Sequence, residues 1–392
     1  MTVPGEHRRS MRGHAVFVPN ALPPQMNLSV ETERLIEDAT HLLGQVEMCR
    51  TLLPNADLLI YNSLQREALA SSTIEGTIAS ADELVRYQAS QHSEREAVRE
   101  VANYGSALEW GVEQLQSRPI GTVLILGLHA RLLHNVRGES QAGRFKEQQN
   151  YIGTHPQEAI ENAIFVPPPP ENISDLVGDL ERYINLGNHE ARVVQCALAH
   201  YQFETIHPFH DGNGRVGRLL IILQMIQLNL LSAPLIYPSV YFERHREEYY
   251  QHLQAVRDTA GWDRWINFFA LGIKEQCLET INFTRVILGL RQGMRDEVSG
   301  IARRAAINEV LDCFFVEPVL TVRQIVDRSS MVHNTAQSAL NELITLDIVY
   351  EVTGRQRGRS YACGPVLRAI FGHIDSAQPD SAEQSAESEA PQ

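Results

Sequence analysis

Cysteine is scarce in this chain of 392 residues, and the five present (Cys49, Cys196, Cys277, Cys313, Cys363) are odd in number and form no C-x-x-C pair. That excludes a disulfide framework and a zinc ribbon, leaving thiols that behave as ordinary core residues. Long apolar runs are missing too. No stretch reaches the ~18 uninterrupted apolar residues of a membrane helix, and the start, "MTVPGEHRRSMRGHAVFVPNALPP", lacks the apolar core of a signal peptide. The expectation is a soluble cytoplasmic protein with no membrane partner. Positive charge is in deficit: the formal net charge is -14, so the whole molecule is not a polycation gathered on nucleic acid. No internal repeat is visible.

What is present is apolar residue, 43% of the chain, enough to build cores over a length that suits two or three domains. Part of the acidity is local. Residues 375–392 carry five acids, no base and no aromatic, and are expected to be disordered. The remainder reads as mainly α. A flexible lead covers 1–28, and Ser29 then stands as N-cap of "VETERLIEDATHLLGQVEMCRTLL", with Glu31 and Glu33 at the favourable end of the helix dipole. An N-terminal helical region is expected over 29–110 and a helical core over 111–290. The core is broken at about 148–168, where "QQNYIG" and "AIFV" predict a β-hairpin running into the four prolines 167–170, which forbid a helix there. From 300 to 373 three helices precede two strand-like runs around a Gly- and Arg-rich turn, the pattern of a winged helix-turn-helix. That segment holds eight basic and seven acidic residues, so DNA and protein docking are equally open for it.

The stretch richest in chemistry is "HPFHDGNGRVGR", 207–218, followed at once by the apolar "LLIILQMI". His207 ends a helical run and Pro208 forces a turn. Asp211 is a hard carboxylate suited to Mg²⁺. Gly212, Asn213 and Gly214 strip away bulk just where the next helix begins, so backbone N–H groups and the helix dipole converge on one spot. Such a terminus binds phosphate. Arg215 and Arg218, three apart, share a face and can grip two phosphates. A polyphosphate cradle, a metal carboxylate and an imidazole at the rim amount to phosphoryl or nucleotidyl transfer chemistry.

This stretch resembles the signature of the Fic (Fido) family, HPFx[DE]GNGRxxR, with every specified position filled. "AGRFKEQQNYIG…FVPPPP" resembles the family's flap and "YYQHL" (249–253) its adenine-side segment, and the order of regions is similar over roughly 30–370. The resemblance implies a Fic-type helical bundle and an adenylyltransferase that moves AMP from ATP to a Ser, Thr or Tyr hydroxyl of a target protein. It implies His207 as general base, at an unshifted pKa near ~6.5, and Asp211 as the Mg²⁺ ligand. The nucleotide would be held by Gly212, Asn213, Gly214, Arg215, Val216, Gly217, Arg218, Tyr249 and Tyr250. The flap, with Tyr151, Ile152, Gly153, Phe165 and Val166, would dock the target. Two positions bear on the donor. Some relatives have Asn seven residues after the second Tyr where this chain has Arg257, and a phosphorylating branch has Lys where this chain has Gly214.

A second stretch, "SSTIEG" (71–76), puts Glu75 at the negative end of a helix closed by Gly76, a place better suited to a cation from elsewhere. It resembles the family's inhibitory motif, [ST]xxxE[GN], which implies that Glu75, with Ser71 one turn before it, pairs with Arg218 in the place of the γ-phosphate. In some relatives the same glutamate positions water that removes AMP. A homodimer is compatible with all of this. The competing readings are a nucleotide-sensing DNA-binding regulator with a Fic-like core, and a transferase using another donor.

Overall fold

The computed structural model describes residues 3–53, 56–90, 92–93, 95–153, 159–186, 190–355 and 357–372; the tail expected to be disordered lies outside them. In chain order the elements are β1 (Gly5–Arg9), β2 (Ala15–Pro19), α1 (Val30–Leu52), α2 (Asp57–Ile74), α3 (Ala81–Ser90), α4 (Glu96–Leu115), α5 (Thr122–Leu132), α6 (Pro170–Asn185) and α7 (Arg192–Ile206). They continue with α8 (Asn213–Gln227), α9 (Pro238–Arg244), α10 (Arg246–Thr259), α11 (Trp262–Glu297), α12 (Arg304–Phe314), β3 (Val319–Thr321), α13 (Val322–Arg328), α14 (His333–Thr345), β4 (Val349–Glu351), β5 (Ser360–Cys363) and α15 (Gly364–Phe371). The chain folds as two compact units, Met1–Ala79 with Ser93–Thr284, and Ser80–His92 with Arg285–Gln392. All five cysteines are free and buried. Among the described residues no helix is long and apolar enough to cross a membrane.

The first unit is built around α7 and α8. A helix that is buried all round belongs at the centre of a bundle, and these two are: α7 is buried from Val193 to Ile206 and α8 from Asn213 to Met225. Their junction is the 207–212 turn. Trp265 of α11 closes the bundle by donating its indole N–H to Ala197 O (2.9 Å), a bond that satisfies a fully buried donor. α1 begins as its sequence predicts, with Ser29 Oγ accepting from Thr32 N.

α2 matters most for the site because it carries Ser71 and ends at Glu75. It is pinned by a buried carboxylate. Glu67, 1% exposed, accepts from Tyr104 Oη of α4 (2.9 Å) and from Ser239 N of α9 (2.9 Å), and Ser239 Oγ donates to it as well. Burial raises its pKa, while the bonds from Ser239 and Tyr104 and the charge of Arg218 pull it back down. One side chain thus ties three helices together.

Three expectations are corrected here. The flexible lead of 1–28 holds an antiparallel hairpin, Gly5 opposite Pro19 and His7 opposite Phe17. The β-prone "AVFVP" buries Val16 and Phe17, and Phe17 N donates to Val166 O (2.9 Å). The prolines 167–170 do not exclude a helix: Pro170 opens α6 at its first position, where a missing N–H costs nothing. The hairpin expected at 148–168 is reduced, among its described residues, to one antiparallel bridge, Ile152 with Phe165, with the short turn Ile160–Asn162 between its partners.

The second unit takes in α3, which sequence order alone places with the N-terminal helices. Val85 of α3 packs with Val319, Ala362 and Leu367, and Ser360 Oγ donates to Ala89 O (3.1 Å). Around it lie α12, α13, α14 and α15, with an antiparallel sheet of order β3-β5-β4. A capping box between Thr321 and Gln324 starts α13. β3 and α15 were not anticipated, being only three and eight residues long.

Removing the Glu67 carboxylate leaves buried donors on Tyr104 and Ser239 unpaired, each costing about 1–3 kcal/mol. Glu67→Ala is therefore expected to lower the unfolding free energy by about 2–5 kcal/mol in a urea titration. Glu6→Ala, at an exposed ion pair, should change it by less than about 0.5 kcal/mol; equal effects would refute the pinning role.

Candidate functional site

The turn between α7 and α8 is held in an unusual backbone conformation. His207 sits at φ 50, ψ 61, a left-handed geometry that a non-glycine residue adopts only when its surroundings impose it. Gly212 (φ 79) supplies the second left-handed step, which glycine takes without strain. Two amides fix the segment between. Asn213 Oδ1 accepts from Phe209 N (2.8 Å) and its Nδ2 donates to Phe209 O (2.9 Å). Asn150 Nδ2 donates to the same carbonyl (2.8 Å), and Asn150 Oδ1 accepts from Lys146 Nζ (2.6 Å). Lys146 also donates its backbone N–H to Pro208 O (2.9 Å).

His129 braces the other side. Its ring stacks on Phe209 with centroids 3.8 Å apart, its Nδ1 accepts from Gly143 N (3.0 Å), and its Nε2 donates to Asp211 O (3.1 Å). Burial first, and then the charge of Arg215, lower its pKa to about 4 against the pull of Asp211, so the ring is neutral and serves as a strut. Lys146, Asn150 and His129 were not singled out from sequence. Lys146 and Asn150 lie within the stretch that resembles the flap, but nothing in that stretch marks them as struts, and His129 lies far along the chain from the motif.

His207 is half-buried, and its Nδ1 is enclosed without a hydrogen-bond partner. Burial, then Lys146 and Arg257, lower its pKa to about 3. The unshifted value near ~6.5 expected from sequence is thus corrected, for a physical reason: two buried cations and little water oppose a third charge. A neutral imidazole is the form that accepts a proton.

Arg218 is 1% exposed and surrounded by acceptors. Its Nε donates to Ser71 Oγ (2.8 Å), and its Nη2 to Ser71 O (2.9 Å) and to Glu75 Oε1 (2.7 Å). Burial works against its charge, but Glu75, Tyr249, Glu204 and Tyr250 hold the guanidinium protonated. A Cβ on Gly214 would meet Glu75 Oε1 at 2.1 Å, so the carboxylate lies directly on the α8 backbone. That places Glu75 at a helix N-terminus whose first N–H groups have no intrahelical acceptor. The site therefore already holds one anion, supplied by the chain itself.

The two arginines diverge. Arg215 does not share the Arg218 site: its Nη1 donates to Glu100 Oε2 (2.9 Å), and Nη2 lies 3.5 Å from Asp211 Oδ1. Glu100 Oε2 also accepts from Thr77 Oγ1 (2.8 Å), two residues past Glu75. The arginines are three positions apart, which leaves their directions about 60° apart around the helix, and Arg215 is drawn toward Glu100 of α4. Other expected nucleotide ligands are likewise committed. The Asn213 side chain is spent on Phe209, Val216 is fully buried, and Gly217 backs onto Phe203 and Glu204. Tyr249 is a core residue, 1% exposed, with its hydroxyl 2.8 Å from His200 Nε2, whereas Tyr250 is 43% exposed and feels both Glu75 and Arg218.

Asp211 is partly exposed, with Gly212 N donating to Oδ1 (2.6 Å) and Arg137 Nη2 3.7 Å from Oδ2. Among the described residues no cluster of three or more metal-ligating side chains exists. A single carboxylate suits Mg²⁺ that takes its other oxygens from phosphate and water, so the donor set fits a metal brought in with a nucleotide.

At the flap, the Ile152 and Phe165 backbones bond to each other (2.8 and 3.1 Å). Phe165 turns inward beneath Arg257, whose guanidinium carbon stands 3.8 Å from the ring centre, and beside Phe17. Tyr151 and Gly153 are half-buried, and Val166 O is taken by Phe17 N. Ile164, not singled out from sequence, is the flap's exposed apolar residue. Glu204, three residues before His207, was also missed. It is buried, its pKa is raised to about 7 by burial and by Glu75 against the pull of Arg218, and its Oε1 has no hydrogen-bond partner.

Comparison with known proteins follows the same outline. Residues 33–113 match the model described as Fic/DOC family N-terminal, and residues 119–225 the one described as Fic/DOC family. The protein adenylyltransferase Fic of Aedes aegypti is 35% identical over 139 residues, 34% of this chain and 24% of that protein. That of Drosophila melanogaster is 32% identical over 149 residues, 37% and 26%. The chain's match thus spans about a quarter of the length of these relatives. Among solved structures, a Fic family protein from Desulfovibrio desulfuricans G20 superposes with a TM-score of 0.56 at 17% identity, covering 87% of this chain and 98% of that one. Fic-1 (residues 134–508) from C. elegans gives 0.51 at 20% identity, over 65% and 73%. At such identities the likeness is one of fold.

With His207 held neutral by burial and by Lys146 and Arg257, its imidazole resonances in ¹⁵N-histidine NMR of the nucleotide-free protein should not titrate between pH 5 and 8. A midpoint near pH ~6.5, the ordinary histidine value, would contradict the electrostatic account.

Proposed function

We propose that the chain, which matches the Fic/DOC models over residues 33–113 and 119–225, is a member of that family and a protein adenylyltransferase held in check by its own Glu75. The observation that carries this reading is the placement of an anion-binding helix terminus, a buried arginine and a neutral imidazole around one turn, with a carboxylate seated on the arginine.

The proposed reaction is direct. A Ser, Thr or Tyr hydroxyl of a target protein gives its proton to His207 as its oxygen bonds to the α-phosphorus of ATP. The bond between the α-phosphorus and the oxygen bridging to the β-phosphorus breaks, and pyrophosphate leaves with those electrons. Backbone N–H groups of the first turn of α8 hold the phosphates, and Arg218 takes the γ-phosphate once Glu75 has left. Asp211 would hold Mg²⁺, which supplies neutralisation of phosphate charge when bound. Arg215, committed to Glu100 and close to Asp211, orients that carboxylate rather than gripping phosphate. Tyr250 faces the nucleotide and Tyr249 supports it from the core. The flap around Tyr151, Ile152, Gly153 and Ile164 receives the target.

All the groups named come from one copy of the chain, so a homodimer is not required for the chemistry. The partners of this reading are ATP and a hydroxyl-bearing protein. In the second unit, α12, α13 and α14 together with the small antiparallel sheet suit a winged helix-turn-helix that brings the enzyme to a partner.

The test is transfer of label from ATP carrying ³²P at the α-position, with Mg²⁺, to the protein itself. Glu75→Gly should label at least ~10-fold more than the parent, as expected when a carboxylate competing for the same cation is removed. Adding His207→Ala should cut this by ~10²- to 10⁴-fold. Equal labelling of Glu75→Gly and parent defeats the inhibitory role; labelling indifferent to His207→Ala defeats the transfer mechanism.

A further inference from the structure

The second unit presents a surface that the proposed transfer reaction does not use. A concavity of about 560 Å³ is bounded by the start of α13, the outer face of α14 and the connection between β4 and β5. Its lining includes Arg323, His333, Gln337, Asn341, Arg359 and Tyr361, and among the described residues that line it none is acidic. In a chain of net charge -14, an acid-free face is itself informative. Asp312 pairs with Arg291 and Arg295, and Glu317 with Arg328. Asp327 forms an exposed ion pair with Arg323 at 3.9 Å, and Glu342 is the one acid in α14.

His333, Gln337 and Asn341 recur every fourth residue, so they form one stripe along α14. His333 and Asn341 are exposed, and Gln337 Nε2 donates to Asn341 Oδ1 (3.0 Å), which aligns the two amides. A side-chain amide offers a donor and an acceptor side by side, the pattern that reads the edge of a base in the major groove, where an α-helix fits. Arg323 and Arg359 flank the stripe. Arg323 is 91% exposed, and Arg359 is tethered through its Nε to Arg355 O (2.8 Å). Two cations on either side of an amide stripe match two phosphate strands on either side of a groove. An apolar protein partner would call for aromatic or aliphatic anchors, but the lining supplies only Val322 and the buried Tyr361.

We infer that this face binds duplex DNA, with Gln337 and Asn341 of α14 reading bases and with Arg323 and Arg359 contacting the backbone. The inference is independent of the reaction proposed for the first unit.

The test uses the full chain and a fluorescein-labelled 24-base-pair duplex pool of randomised sequence, followed by anisotropy. The parent should bind at ~50 mM salt and weaken steeply by ~200 mM. Arg323→Ala and Arg359→Ala should each weaken binding to the whole pool and lower the slope of log affinity against log salt by about 1. Repeated selection from the pool should enrich a sequence that Gln337→Ala/Asn341→Ala binds ~5- to 150-fold more weakly, with its affinity for the unselected pool unchanged. All four positions are at the surface, and unchanged thermal melting confirms that the variants fold. No binding of the pool at ~50 mM salt, binding indifferent to both arginine changes, or stronger binding of poly-glutamate than of duplex would overturn the inference; the last would mark the face as a dock for an acidic protein.

Discussion

A guanidinium with almost no access to water is the constraint around which the first unit is organised. Arg218 cannot lose its proton and cannot be solvated, so its charge must be met by acceptors brought to it. Ser71 contributes a hydroxyl and a carbonyl, both within the last turns of α2, and among the described residues Glu75 contributes the only charge within hydrogen-bonding distance. α2 must therefore end where it does, and Glu67 fixes that end by joining α2 to α4 and α9. The asymmetry of the contacts suits the proposed switch. Two of the three bonds come from Ser71, inside the helix, and survive departure of Glu75, whose side chain is a third exposed and lies at the helix end. In the proposed function, an incoming phosphate replaces the carboxylate without unmaking the helix.

The turn beside it is rigid for a different reason. His207 is kept in a left-handed conformation by bonds that its own side chain does not make: Lys146 to Pro208, the paired amides of Asn150 and Asn213 on Phe209, and the His129 stack. The same Lys146 that holds the turn also helps keep the imidazole uncharged. Positioning and protonation state thus share a cause. Glu204 adds a buried carboxyl raised to about 7 by burial, with Arg218 and Arg257 pulling it down and Glu75 pushing it up. Directly past Glu75, Thr77 donates to Glu100, Glu100 accepts from Arg215, and Arg215 stands 3.5 Å from Asp211, so the end of α2 and the Asp211 carboxylate are joined by one run of polar contacts.

Much of this was legible in the sequence, because the features concerned are local. Ser29, Gly76, Gly212 and Pro208 act on their own neighbours, and the 207–218 stretch packs its chemistry into consecutive residues. The pairing of Glu75 with Arg218 crosses 143 positions and was reached only through a family resemblance to two motifs. Where sequence reasoning failed, long-range packing decided the outcome. Arg215 turned to Glu100, Tyr249 into the core and Asn213 onto its own turn, none of which spacing reveals. Lys146 and Asn150 sit in the flap-like stretch and His129 in an apolar helix, and neither context reveals that they brace the turn. The N-terminal hairpin was hidden by brevity, since five β-prone residues beside a proline are too few to outweigh a polar, Arg-rich lead. α3 was assigned by sequence order, but its buried face fits the second unit's sheet.

The account turns on what occupies Arg218, and calorimetric titration of ATP against ADP reads that directly. If Glu75 stands in the place of the terminal phosphate, the parent should bind both nucleotides with nearly equal affinity, because the γ-phosphate finds its cation taken. In Glu75→Gly the same phosphate gains a charge-assisted contact of about 1.5–3 kcal/mol, so ATP should bind ~10-fold or more tighter than ADP. An ATP preference of the same size in parent and variant would show that the carboxylate and the phosphate do not compete, and the central claim would fall.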